Sequence, residues 1–257
     1  MLNRLFPHMY DSPERNQTLA GLTYGVVPFL LLPTTLMLLV LGVSATRPYV
    51  ILEYLYQAVN IIAIFVIFRS YFRDSWLNVT LYPKKFWAVC LGAAFVVCGI
   101  YGGYVVSGMM GLLPQGNLAV LGTMPMAGVE LMLLPGDFIL LDGGIVAAIF
   151  LTLLGPVITA GLFYATAFAP LCVAGHRFGA YIGVAALTAL PRLITASTFW
   201  GGWKEGLLYL TQLPIHLIAC WTYQKTDSVW APIFTLAIGN AFACVTLFVL
   251  HFMGILV

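Results

Sequence analysis

Residues 144–169, GIVAAIFLTLLGPVITAGLFYATAFA, contain no charged side chain. A helix rises about 1.5 Å per residue, so this run is long enough to cross the roughly 30 Å hydrocarbon core of a bilayer. In lipid, backbone polar groups must be satisfied within the protein, which leaves helices and closed barrels as spanning structures. The run therefore predicts a membrane helix. Similar apolar stretches occupy about 19–44, 49–71, 86–108, 179–198 and 206–223, and another runs from 229 to the end. Short polar turns separate them. Hydrophobic residues make up 61% of the chain and charged residues 8%, where a soluble domain carries about 25% charged residues. With a mean hydropathy of +0.99, the chain has too little polar surface to cover itself in water. The expectation is an all-α, polytopic transmembrane helical bundle of about seven spans. A cytosolic segment covers 1–18, and a single membrane domain covers 19–257.

One segment leaves the span count open. Residues 109–143 hold no Lys or Arg, three acids (Glu130, Asp137, Asp142), and the breakers Pro125, Pro135 and Gly136. They read as an interfacial or re-entrant piece on the outer side. If the segment crosses instead, there are eight spans and the C-terminal half inverts. Orientation follows from short-loop cations. With the N-terminus inside, the inner segments hold Arg4, Arg15, Arg69, Arg73, Lys84, Lys85, Arg177 and Lys225, and the outer ones hold Arg47 and Lys204. This predicts a multi-pass cell-membrane protein with a cytoplasmic N-terminus. The first apolar run is too long for a signal-peptide core and lacks a clean cleavage site, so it reads as a retained helix. No basic cluster is dense enough for nucleic acid.

Several polar residues lie inside the apolar runs. Glu53, Gln57 and Asn60 share one face of the second helix at i, i+4 and i+7. They form either an interhelical hydrogen-bond stripe or part of a polar pocket. Arg192, His216 and Asn240 are the other pocket candidates. His216 reads first as a helix–helix hydrogen bond, and Arg192 as a residue near the outer interface. Pro28 and Pro33 predict a kinked first helix. Gly99 and Gly103 predict close packing of the third. Residues 72–85, with Arg73, Asp74, Lys84 and Lys85, read as a loop, and Gln224–Ser228 as a polar turn. Cys90, Cys98, Cys172, Cys220 and Cys244 form no CxxC pair and read as small buried residues.

The last third resembles the CAAX-protease and bacteriocin-processing (CPBP, or Abi) family of intramembrane proteases. The best match is YQKTDSVWAPIFTLAIGN, from Tyr223 to Asn240. It carries a similar turn and a Trp-Ala-Pro helix start at Trp230. The family's helix then presents a histidine and, four residues on, an asparagine; those positions are Leu236 and Asn240. Gly155-Pro156-Val157-Ile158 resembles the lead-in to the family's Glu-Glu-x-x-x-Arg motif, which falls on Thr159, Ala160 and Tyr164. Phe163 matches the phenylalanine before the arginine. Gly183–Arg192 resembles the run ending in the second motif's histidine, with Arg192 at that position. The likeness covers about 115–245.

The resemblance implies a CPBP-like core whose catalytic positions have been emptied. Metal-assisted hydrolysis needs several N or O ligands converging on an ion, and general-base catalysis needs a titratable group near the water. Thr159, Ala160, Tyr164, Arg192 and Leu236 supply neither, leaving Asn240. The expectation is a non-catalytic pseudoprotease with no metal and no cofactor, scaffolding another membrane or cell-surface protein, with lipids as further partners. Two alternatives remain. One is a protease with a site relocated to Glu53, His216, Glu205 or Glu130. The other is a transporter or channel subunit built on the Glu53 stripe.

Overall fold

The structure, a computed structural model, describes residues 13–22, 59, 61–110, 150–199, 210 and 213–253. The described residues are helical, with no strand among them. Residues 23–44 of the predicted first helix, with Pro28 and Pro33, the segment 111–149, and Glu53, Gln57, Asn60, Glu130 and Glu205 lie outside the described residues.

Helix α1, Arg15–Ala20, opens with a capping box in which the side chains of Glu14 and Gln17 each bond the other's backbone N–H. Residues 61–67 are helical. Hydrogen bonds run on through Phe68, from its N–H to the Ile64 carbonyl (2.9 Å) and from the Phe72 N–H to its carbonyl (2.8 Å). They lead into α2, Arg69–Leu81. This corrects the expected loop at 72–85. Charge marked that stretch as a loop, but Tyr71, Phe72, Ser75, Asn78 and Val79 are buried at helical spacing, while Arg73 and Asp74 pair at 3.1 Å on the exposed side. The helix stops at Tyr82 because the Pro83 ring excludes helical geometry from its predecessor. Tyr82 has ψ 54°, and Pro83 starts α3, Pro83–Met109.

A continuous run from Phe150 to Val173 forms α4. It is π-helical at Phe150–Leu154, α-helical at Gly155–Thr159, π-helical at Ala160–Phe168 and α-helical at Ala169–Val173. Helices α5, Arg177–Phe199, α6, Leu213–Thr226, and α7, Trp230–Phe252, complete the described part. The expected polar turn at 224–228 shortens accordingly. Gln224, Lys225 and Thr226 stay helical, and the chain reverses at Asp227–Val229. Asp227 has φ +46°, a left-handed helix end that short polar side chains tolerate.

Two helices among the described residues, Pro83–Ser107 and Thr152–Val173, are long and apolar enough to cross a membrane. They differ in setting. Helix α4 is enclosed on nearly all sides and packs on α7, α5 and α1. Helix α3 buries one face, from Phe86 through Cys90, Ala94, Val97 and Tyr101 to Val105, mainly against α7. Its opposite face, with Leu91, Phe95, Val96 and Val106, is exposed. All five cysteines are unbridged.

Glycines set the closest helix approaches, though not the pair expected. A Cβ on Gly99 or Gly103 would meet nothing within 4 Å, whereas one on Gly239 of α7 would lie 2.5 Å from Val97 Cγ1. A small-residue spacing does not say which face meets a neighbour, and Gly99 and Gly103 lie on the outward face of α3. On α4, a Cβ on Gly161 would lie 2.5 Å from Ile64 Cγ2.

Most charged residues among the described ones share one end. The Gln17–Ser70 (2.7 Å), Asn78–Asp227 (3.0 Å) and Tyr181–Gln224 (2.8 Å) hydrogen bonds bring the α2–α3, α4–α5 and α6–α7 turns to one end, together with α1. Glu14, Arg15, Arg69, Arg73, Asp74, Lys84, Lys85, Arg177, Lys225 and Asp227 all lie there. Among the described residues, only Arg192 is charged and elsewhere in sequence, and its side chain lies outside the description.

Overpacking a close crossing costs about 1–3 kcal/mol. Gly239→Ala is expected to lower thermal stability in detergent by that order and Gly239→Leu by more, while Gly99→Ala leaves the melting temperature within about 1 °C. Equal effects of the two alanine variants would contradict the crossing described here.

Candidate functional site

Helix α4 sits at the centre of the described helices, and its two prolines shape it. Pro156 and Pro170 lack the N–H that would bond the carbonyls of Thr152 and Thr166. Between them the helix widens into the π segment Ala160–Phe168, a geometry that is rare and found mostly at functional sites. It turns Ala160, Phe163, Tyr164, Ala165 and Phe168 into the core.

Two buried hydrogen-bonded pairs cross this core. The Tyr164 hydroxyl lies 3.1 Å from His216 Nδ1 on α6, and both side chains are sealed, at 0% and 1% exposure. The Phe163 ring meets the His216 imidazole edge-on at 6.4 Å. The Tyr101 hydroxyl of α3 donates to Asn240 Oδ1 of α7 at 3.3 Å, and both are fully buried. The pairs lie on different interfaces, α4–α6 and α3–α7. Thr159, Thr166 and Thr235 add buried hydroxyls to the same interior.

Thr159, Ala160 and Tyr164 on α4, and Leu236 and Asn240 on α7, are each fully buried. The Gly155–Thr159 turn packs on α7, while Tyr164 reaches α6. Arg192 belongs to α5, with its side chain outside the description. His216 makes an interhelical hydrogen bond, and its separation from Glu53 lies outside the described residues. Among the described residues, no three His, Cys, Asp or Glu side chains cluster as a metal site would require. The interior instead offers hydroxyl, amide and imidazole groups that join one helix to another.

A second polar cluster, at the charged end, escaped sequence reading. Asn78 Nδ2 donates to the carbonyls of Thr226 (3.3 Å) and Asp227 (3.0 Å). Ser75 Oγ donates to Ser228 Oγ at 3.0 Å and accepts the Val229 N–H at 2.8 Å. Ser228 Oγ donates to the Ser75 carbonyl at 2.9 Å. Trp230 Nε1 donates to the Phe72 carbonyl at 2.8 Å. The hydroxyls of Tyr71 and Tyr223 meet at 2.5 Å. Together these hold the α6–α7 turn against α2. The available signal was Tyr71, Ser75 and Asn78 at i, i+4 and i+7, a polar face hidden by reading the stretch as a loop.

An aromatic group flanks this latch. Trp230 meets Phe72 at 5.5 Å and Trp76 at 5.0 Å, and Phe234 meets Trp87 at 4.9 Å and Phe86 at 6.2 Å. No protein-family model, curated protein or solved structure matches this chain.

An interhelical hydrogen bond in a membrane protein contributes about 0.6–1.7 kcal/mol. A double-mutant cycle of Tyr164→Phe and His216→Phe, read from unfolding in mixed micelles, is expected to give a coupling energy of about 1 kcal/mol. Additivity within error would show that the 3.1 Å contact contributes nothing to stability.

Proposed function

We propose that this chain is a non-catalytic, multi-pass membrane protein that binds and positions another membrane or cell-surface protein. One observation carries the reading. Five positions that the CPBP resemblance assigns to catalysis, Thr159, Ala160, Tyr164, Leu236 and Asn240, are wholly buried among packed side chains. A hydrolytic centre needs an approach for water and substrate and converging titratable groups. These side chains instead fasten helices, through Tyr164 to His216 and Asn240 to Tyr101. On this reading the chain is a CPBP-like pseudoprotease, and its exposed helix faces carry the partner. The test is purification from native membranes in a mild detergent. One stoichiometric membrane partner is expected, with no tightly held divalent ion and no peptide cleavage. A partner-free monomer, or cleavage lost on Asn240→Ala, overturns the proposal.

The topology proposed is seven spans with the N-terminus in the cytoplasm. It is supported by the gathering of Arg15, Arg69, Arg73, Lys84, Lys85, Arg177 and Lys225 at one end, since short cytoplasmic loops concentrate Lys and Arg. A Lys84→Cys variant in intact cells is expected to react with a membrane-impermeant maleimide only after lysis. Labelling from outside reverses the orientation.

A further inference from the structure

The outward face of α3 joins a cationic end to a long apolar stripe. Lys84, Trp87, Leu91 and Phe95 follow at i, i+3, i+7 and i+11, within one narrow stripe of a helix. All four are exposed, Phe95 at 81%. Val106 continues the stripe at i+22. At about 1.5 Å per residue, Lys84 and Val106 stand about 33 Å apart, close to the thickness of a bilayer's hydrocarbon core.

The lysine end is cationic beyond Lys84. Lys85 follows it and lies over the Tyr82 ring at 5.8 Å. Arg69 and Arg73 lie on the neighbouring helix α2, whose one acid, Asp74, is paired to Arg73. Trp76, at 40% exposure, and Trp87, at 37%, mark the level between charge and hydrocarbon, where tryptophan favours the headgroup region. Leu77 and Leu81 of α2 are exposed alongside. Four cations against one acid on two adjoining helices, set above an apolar stripe of membrane thickness, complement a molecule with an anionic head and a long apolar tail.

We propose that this surface binds an anionic phospholipid, its phosphate held by Lys84 and Lys85 and an acyl chain lying along Leu91 and Phe95. The inference rests on the membrane reading above. The lysines act as point charges at the headgroup, and the apolar stripe supplies area burial. A basic residue near an anionic membrane surface contributes about a fivefold gain in affinity. The preference for an anionic over a zwitterionic headgroup is therefore electrostatic and falls as salt rises.

The experiment uses the full chain reconstituted in nanodiscs of phosphatidylcholine containing a minor fraction of phosphatidylglycerol. Annular lipid retained after extraction into a mild detergent is counted by native mass spectrometry. Retained phosphatidylglycerol is expected to exceed its share of the disc several-fold. Lys84→Gln with Lys85→Gln is expected to remove most of that excess, and Lys84→Arg with Lys85→Arg to preserve it. Phe95→Ser is expected to lower retention of both lipids. Inorganic phosphate at millimolar concentration leaves the excess in place, because it lacks the tail. Retention of the two lipids in proportion to their shares of the disc, or an excess unchanged in the glutamine variant, overturns the proposal while leaving the membrane reading intact. A chain that stays in the aqueous phase and enters no disc overturns both.

Discussion

The arrangement of the described helices depends on how α2 grips the turn between α6 and α7. A turn inside a protein exposes backbone carbonyls and amides, and each one buried without a partner costs about 1–3 kcal/mol. Here Asn78 takes the two carbonyls that end α6, and Ser75 takes the first amide of the next turn. Trp230 closes the contact from α7. Three helices thereby share one set of hydrogen bonds, and their registers are coupled. His216 lies on α6 and Asn240 on α7, so the depth at which each reaches Tyr164 or Tyr101 is set from this one end.

The interior built on that arrangement is polar in a limited way. Two of its pairs, Tyr164 with His216 and Tyr101 with Asn240, join helices across interfaces, and apolar side chains fill the space between. Such pairs specify which helix face meets which. Helix α4 also holds two prolines. The carbonyls freed by Pro156 and Pro170 lie in a helix surrounded by neighbours, where a widened π segment redistributes the backbone bonds.

The chain's helical character was legible because uncharged runs of membrane length leave the backbone little alternative. Helix ends were less so. Arg73, Asp74, Lys84 and Lys85 suggested a loop, yet a helix that emerges from an apolar layer can carry charge on its free side while Tyr71, Ser75 and Asn78 stay buried. Gly99 and Gly103 had the spacing of a packing motif, but spacing specifies a face and not the neighbour opposite it. Gly239, with Asn240 beside it, makes the close approach instead. The placement of Thr159, Tyr164 and Asn240 within apolar runs could be read in advance, but not their complete burial. Their partners could not, because Tyr101 and His216 lie 139 and 52 residues away in sequence, and no local pattern records such pairings.

The gathering of charge at one rim has a consequence for the molecule's history. Within a bilayer, turning such a bundle over would carry seven cations through hydrocarbon, each at a cost of at least about 2.5 kcal/mol. No thermal fluctuation accomplishes that once the helices have closed. On the proposed membrane reading, the direction in which each copy is threaded during synthesis is then kept for the life of that copy.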